Sequence, residues 1–191
     1  HAANLKMGMY PTEDPHARAQ LCLSCHQGTQ EKLASHDIMG AGHPRLSFEL
    51  DTFTVLQPEH YVKDDDYRQR KPDISSPQIW ATGQISAAER TLELLASKRF
   101  HGGGMFPEIS FYDCHSCHHP MNDIRWQGGE GLKPGALRLN DAHLQISALL
   151  LAELLPAQAQ TWRHGVKSLQ QAGQQGPDAV KTQPQALQQQ I

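Results

Sequence analysis

The sequence predicts a mainly α-helical fold with long irregular loops, whose interior side chains alone do not fill. Helix-period apolar positions recur in several segments, while no convincing alternating strand pattern appears. Proline and glycine punctuate the stretches between them. Hydrophobic residues make up only 38% and aromatics 6% of the 191 residues, against the roughly 45–50% apolar content of an ordinary globular chain. The length suits one domain with a tail, read here as a domain over 1–172 and a Gln/Pro-rich, disordered tail over 173–191.

In chain order, residues 1–20 are mixed and lack periodicity. A short helix is expected from Ala17 to Cys25, and a glycine-broken loop from His36 to His43. Leu46, Leu50 and Phe53 recur at i, i+4 and i+7 behind Pro44, predicting a helix over 44–56 with His43 at or beside its N-cap. Pro58, Asp64-Asp65-Asp66, Pro72 and Pro77 mark residues 57–79 as a polar surface excursion. Leu92, Leu94 and Leu95 predict a helix over Ala87 to Phe100, closed by Gly102-Gly103-Gly104. Residues 105–113 read as irregular. Asn140 is placed to cap a helix that stops at Pro156, and Trp162, Val166 and Leu169 share one face of another over 157–172.

A formal charge of −3 without a basic stripe gives nucleic-acid binding no electrostatic support. No apolar run approaches the ~18 residues of a membrane span; the richest, Ile146 to Leu155, contains Glu153. Histidine is the compositional outlier, with 12 residues against 17 Lys and Arg together. All 4 cysteines fall into two pairs, Cys22-Leu23-Ser24-Cys25-His26 and Cys114-His115-Ser116-Cys117-His118.

A bare C-x-x-C suits a redox dithiol, a zinc site or haem attachment; the trailing histidine decides between them. Two residues between the thiols set both sulfurs over one porphyrin edge, and the next imidazole reaches the iron from the same side. At these Cys and His frequencies, about 0.005 copies are expected by chance, yet two occur and use every cysteine. A four-cysteine zinc site is the competing reading, but the long separation of the pairs and the repeated histidine weigh against it. A thioredoxin-like dithiol lacks its βαβ setting. Two covalently bound haem c groups are therefore expected, at Cys22, Cys25, His26 and at Cys114, Cys117, His118. They also account for the thin core, since apolar macrocycles replace side chains inside. Attachment of this kind takes place outside the cytoplasm, so a periplasmic or extracytoplasmic location follows. The chain opens with neither a charged n-region nor an apolar h-region, and reads as a mature or trimmed form.

Each iron has a sixth position, filled by His or Met or left open. His43 is the first choice for the far side: a helix N-terminus would keep its imidazole neutral, and flanking glycines admit a flat ring. His36, at the other end of the same loop, is second, and two imidazoles on one loop could serve adjacent haems. His143 is the alternative, sharing a helix face with Ile146, Leu150 and Leu154, although an inward-facing histidine is more often a satisfied core residue. His101, His16, His119, Met39 and Met105 rank below these, with His119 better placed for a propionate. His1, His60, His115 and His164 are read as solvent-facing.

Several further stretches accompany the motifs: Cys22-x-x-Cys25-His26-x-Gly28, His36-Asp37, Ala41-Gly42-His43-Pro44-Arg45-Leu46-x-Phe48-Glu49, Trp80-x-x-Gly83-Gln84, Pro107-Glu108 and Tyr112-Asp113-Cys114-x-x-Cys117-His118-His119. Over about 20–130 the chain resembles the bacterial multihaem (dihaem) cytochromes c. The resemblance implies a haem-organised fold with closely stacked, mostly bis-His haems, and favours His36 and His43 as a pair. With only two attachment sites, the chain departs from larger relatives and resembles one module of a longer multihaem assembly. The expected role is a one-electron relay between redox proteins, such as other cytochromes and quinol- or terminal-enzyme complexes. The acidic Asp64–Asp66 stretch could face a basic partner, although a solvated loop is the plainer reading. The alternative is a dihaem peroxidase or oxyanion reductase with one open iron, for which Arg45 and His119 could serve in acid–base roles. A haem-based sensor or structural module is a third.

Overall fold

The computed structural model describes residues 2–58, 62–71, 73–101, 106–120, 132–133 and 135–190. The expectations for His1, His60, Gly102-Gly103-Gly104 and Met105 lie outside the described residues. The helices are α1 (Ala2–Lys6), α2 (Pro15–His26), α3 (His36–Gly40), α4 (Leu50–Leu56), α5 (Asp65–Arg70), α6 (Ser76–Ala96), α7 (Lys98–His101), α8 (Ala142–Leu154), α9 (Pro156–Gln175), α10 (Pro177–Val180) and α11 (Gln183–Gln188), with single 3-10 turns at Ile109–Phe111 and Cys114–Ser116. Among the described residues there is no strand, only an isolated antiparallel bridge between Tyr112 and Leu139. The mainly α expectation holds.

The ends of these helices follow from local chemistry. Asp14 caps α2 by accepting the His16 N–H at 3.1 Å, and Pro15 supplies a first residue whose missing N–H goes unneeded. Ser75 and Gln78 form a reciprocal capping box on α6. That box starts α6 at Ser76, so the helix expected from Ala87 begins eleven residues earlier. Pro77 lies in its first turn instead of interrupting a loop. Pro156 separates α8 from α9 as expected.

Three other expectations are corrected. Glu49 caps α4, accepting the N–H groups of Asp51 at 2.9 Å and Thr52 at 2.7 Å. The helix therefore begins at Leu50 and not at Pro44, which leaves His43 away from any helix N-terminus. The loop from His36 contains a helical turn, capped by Ser35 and closed by Gly42 at φ +107°. The end of the chain is not without structure: α10 and α11 bury Val180 and Leu187 completely enough to count as core. Helix α11 packs against α6 and α9, and α10 against α9 and α7.

Helix α6 is the hub, packing against α2, α4, α8 and α11. The main core joins α6, α8 and α9 around Leu92, Leu95, Leu144, Trp162 and Leu169. The Trp162 Nε1–H donates to the Leu144 carbonyl at 2.9 Å, pinning α9 to α8. A second, smaller cluster of Ala19, Leu23, Leu50, Ile79 and Ala87 joins α2 and α4 to the other end of α6. No helix among the described residues is long and apolar enough to cross a membrane.

Candidate cofactor-binding site

The first motif ends α2. Cys22 and Cys25 stand one turn apart, so both thiols project from the same side of the helix. Both are free; Cys22 is half-buried and Cys25 exposed. Burial pushes the Cys22 thiol above its ordinary range, with Arg18 acting against this and Cys25 adding to it. A nucleophilic dithiol needs the opposite shift.

His26 follows in a cage of aromatic rings. Phe48 stacks on the imidazole at 4.9 Å between centroids and 27° between planes, and Phe53 meets it edge-on at 5.3 Å. Face stacking leaves the in-plane lone pair of a ring nitrogen free to bind a metal. The cage depends on Gly83: a Cβ there would stand 2.6 Å from Leu50 Cβ, so only glycine lets α4 lie this close to α6.

The second motif is built differently. Cys114 opens a single 3-10 turn capped by Asp113, whose carboxylate accepts the His115 N–H at 3.1 Å. The Cys114 carbonyl accepts the N–H groups of Cys117 at 3.2 Å and His118 at 2.8 Å. Cys117 and His118 are exposed. Hydrogen bonds from Asp113 N–H to Arg138 O and from Asn140 N–H to Phe111 O, both 2.8 Å, tie the turn to the segment ahead of α8. That segment is held in turn by Gln170, whose amide accepts from and donates to the Leu139 backbone at 3.0 Å.

One cavity of about 260 Å³ takes residues from both motifs, although Cys22, Cys25, Cys117 and His118 do not line it. His26 and Leu23 line it from the first, Cys114 from the second, and His143 from α8, with Met39, Leu94 and Phe111 among the apolar walls. Larger clefts, of about 670, 500 and 470 Å³, have no cysteine in their walls. The four thiols do not gather into one tetrahedral set; among the described residues no group of three or more His, Cys, Asp or Glu converges on a point.

The far-side candidates are separated by this geometry. His143 is placed at the cavity: its Nδ1–H donates to the Gln84 side-chain oxygen at 2.8 Å, and burial holds its pKa below the ordinary histidine value despite the nearby Glu49 carboxylate. Ile146 and Leu150 are half-buried on its face, but Leu154 is 70% exposed and the true core stripe runs through Leu144, Ser147, Ala148 and Leu151. His36 and His43 do not line the cavity. The His36 backbone N–H donates to Glu108 at 2.8 Å, and the exposed His43 donates Nδ1–H to the Pro44 carbonyl at 2.7 Å. Burial raises the Glu108 carboxyl, but the hydrogen bonds from His36 and Ser110 together outweigh it, and the net shift is downward. His101 bonds the Leu95 carbonyl at 3.0 Å and its Nδ1 is buried without a partner, but it does not line the cavity; His16 shares a 3.2 Å hydrogen bond with Ser86. His115, His119 and His164 are exposed. The sequence places Phe53 on a helix face and Phe48 and Gln84 in stretches that accompany the motifs, without a role at the site for any of the three.

No protein-family model, curated protein or solved structure matches the chain.

Proposed function

We propose that the chain is a periplasmic dihaem c-type cytochrome of the bacterial multihaem kind, relaying single electrons between redox partner proteins. The observation that carries this reading is a cavity lined by His26 of the first motif, Cys114 of the second and the His143 imidazole. The donor set fits the group. Cys22 with Cys25, and Cys114 with Cys117, are free thiols, and each pair is followed by an imidazole. The four thiols would hold the two groups as thioethers, two to each group. His26 and His118 are the near-side ligands.

Haem c, when bound, supplies a one-electron iron couple whose potential falls when histidine replaces methionine as axial ligand. The residues of the chain anchor the ring through two thioethers per motif, orient the imidazoles, and keep water from the apolar walls around Leu23, Leu94 and Phe111. Of the far-side candidates, His143 has the support of the cavity. His36 and His43 are the candidates for the iron at the second motif, and His36 is tied by its backbone to Glu108, six residues ahead of Cys114. With both irons six-coordinate no substrate binds, and docking to partners is expected to be weak and small in area.

The test is intact mass together with ligand binding on protein matured in a cytochrome c-producing host. Two added haems and a reduced form that does not take up carbon monoxide are expected. Bare thiols would sink the reading, and rapid carbon monoxide uptake with peroxide or nitrite turnover would replace the relay with the dihaem enzyme.

A further inference from the structure

We propose that Gln84 is the positioning residue that fixes His143 as the far-side ligand of the haem anchored at Cys22 and Cys25, an inference that rests on the dihaem reading above. Gln84 lies on α6 with 4% of its surface exposed. A buried side-chain amide is retained only when it is paired, and the partner here is the His143 ring, 2.8 Å away on α8. The backbone at this point is fixed by the close crossing of α4 over Gly83, so the amide is held by a rigid neighbourhood.

The bond sets the chemistry of the ring. With its proton on Nδ1 donated to Gln84, His143 carries its lone pair on Nε2. Among the described residues nothing hydrogen-bonds Nε2. The half-buried His143 thus has one ring nitrogen tied by a buried amide, and its side chain lines the cavity that His26 and Cys114 also line. A ring nitrogen held to an oxygen acceptor while the other meets a metal is the usual arrangement of metal-bound histidine, and loss of the acceptor typically weakens the metal bond. A neutral amide tunes the ring less strongly than a carboxylate would.

The haem-loaded protein is compared with Gln84→Leu, Gln84→Glu and His143→Gly by electron paramagnetic resonance and potentiometric titration. His143→Gly is expected to convert one of the two low-spin irons to high spin and to be restored by added imidazole. The converted signal should be absent when Cys22→Ser and Cys25→Ser are added. Gln84→Glu should move the potential of that haem negative and Gln84→Leu should move it positive, with the other haem unchanged. Gln84→Leu should also raise the high-spin fraction of that haem, restored by added imidazole, which a change of local polarity alone would not do. Two low-spin irons in His143→Gly, a high-spin signal that survives loss of Cys22 and Cys25, or Gln84 variants with unmoved potentials would each overturn the assignment while leaving the dihaem reading in place. A parent protein without haem would overturn that reading first.

Discussion

The two cysteine motifs have the same spacing and opposite mechanical settings. The first ends a twelve-residue helix whose Leu23 is 1% exposed and whose His26 is boxed by two phenylalanines. The second occupies one 3-10 turn, with Cys117 and His118 exposed, and leans on a backbone bridge to Leu139. One is set by helix packing and the other by hydrogen bonds to a neighbouring segment. The same five-residue chemistry therefore does not need the same scaffold: a C-x-x-C-H segment requires only that the backbone turn tightly enough to bring both sulfurs and the imidazole to one side. The difference also predicts which site keeps its shape unaided and which depends more on the bound group.

The largest effect comes from deleting each pair. On the proposed dihaem reading, Cys22→Ser with Cys25→Ser, and Cys114→Ser with Cys117→Ser, should each remove one haem from the intact mass. Helix content by far-ultraviolet circular dichroism should be held in the first case, because α2 is already packed on α6. In the second, the near-ultraviolet signal of the Phe100, Phe111 and Tyr112 cluster should weaken. Equal losses in both variants would break the contrast between the sites.

Leu139→Ala addresses the anchor of the second site. Leu139 is 1% exposed and touches Gly173 on α9, where a Cβ would meet its side chain at 3.2 Å. Truncation should cost about 2–5 kcal/mol in urea unfolding and loosen the second haem more than the first. At the first site, Gly83→Ala places a methyl 2.6 Å from Leu50 Cβ. Overpacking of this kind should destabilise by about 1–3 kcal/mol and shift α4, disturbing the Phe53 edge against His26 and with it the spectrum of that haem alone. A Gly83→Ala protein with parental stability and an unchanged spectrum would show that the box around His26 is not held by this crossing.

The parts legible in the sequence were those fixed by local rules. The helix stop at Pro156 and the Trp162 face of α9 each follow from residues within a few positions of one another. What escaped was set by tertiary partners. The start of α6 was hidden because Pro72 and Pro77 read as loop, whereas Pro77 is compatible with a first helical turn behind Ser75. Had the helix been carried back, Gln84 would have fallen in register with Ala88, Thr91 and Leu95, a buried stripe in which a glutamine asks for a partner. His43 was favoured for a helix N-terminus that Glu49 moves downstream. His143 ranks third from the sequence because an inward histidine is usually core; its place on the cavity wall and its hydrogen bond to Gln84 distinguish it. Val180 and Leu187 are too sparse in a Gln/Pro-rich stretch to signal that they are core.

The smallest effect concerns the link between the two halves of the site. Glu108 accepts N–H groups from His36 at 2.8 Å and Ser110 at 3.0 Å, joining the His36 turn to the approach of the second motif. Burial alone would raise its pKa, but these bonds prevail and lower it from the ordinary 4.5. A carboxyl depressed in the folded state adds stability above its unfolded pKa and loses it as the pH falls through the folded value, because the unfolded chain then binds the proton more readily. Glu108→Gln should therefore be less stable near neutrality by about 1 kcal/mol, the group being partly exposed and screened. The gap between parent and variant melting temperatures should narrow as the pH is taken from about 5 to about 3. A gap that stays constant over that range would mean that the link is steric and carries no charge-assisted bond, and the second site would then rest on the Leu139 bridge alone.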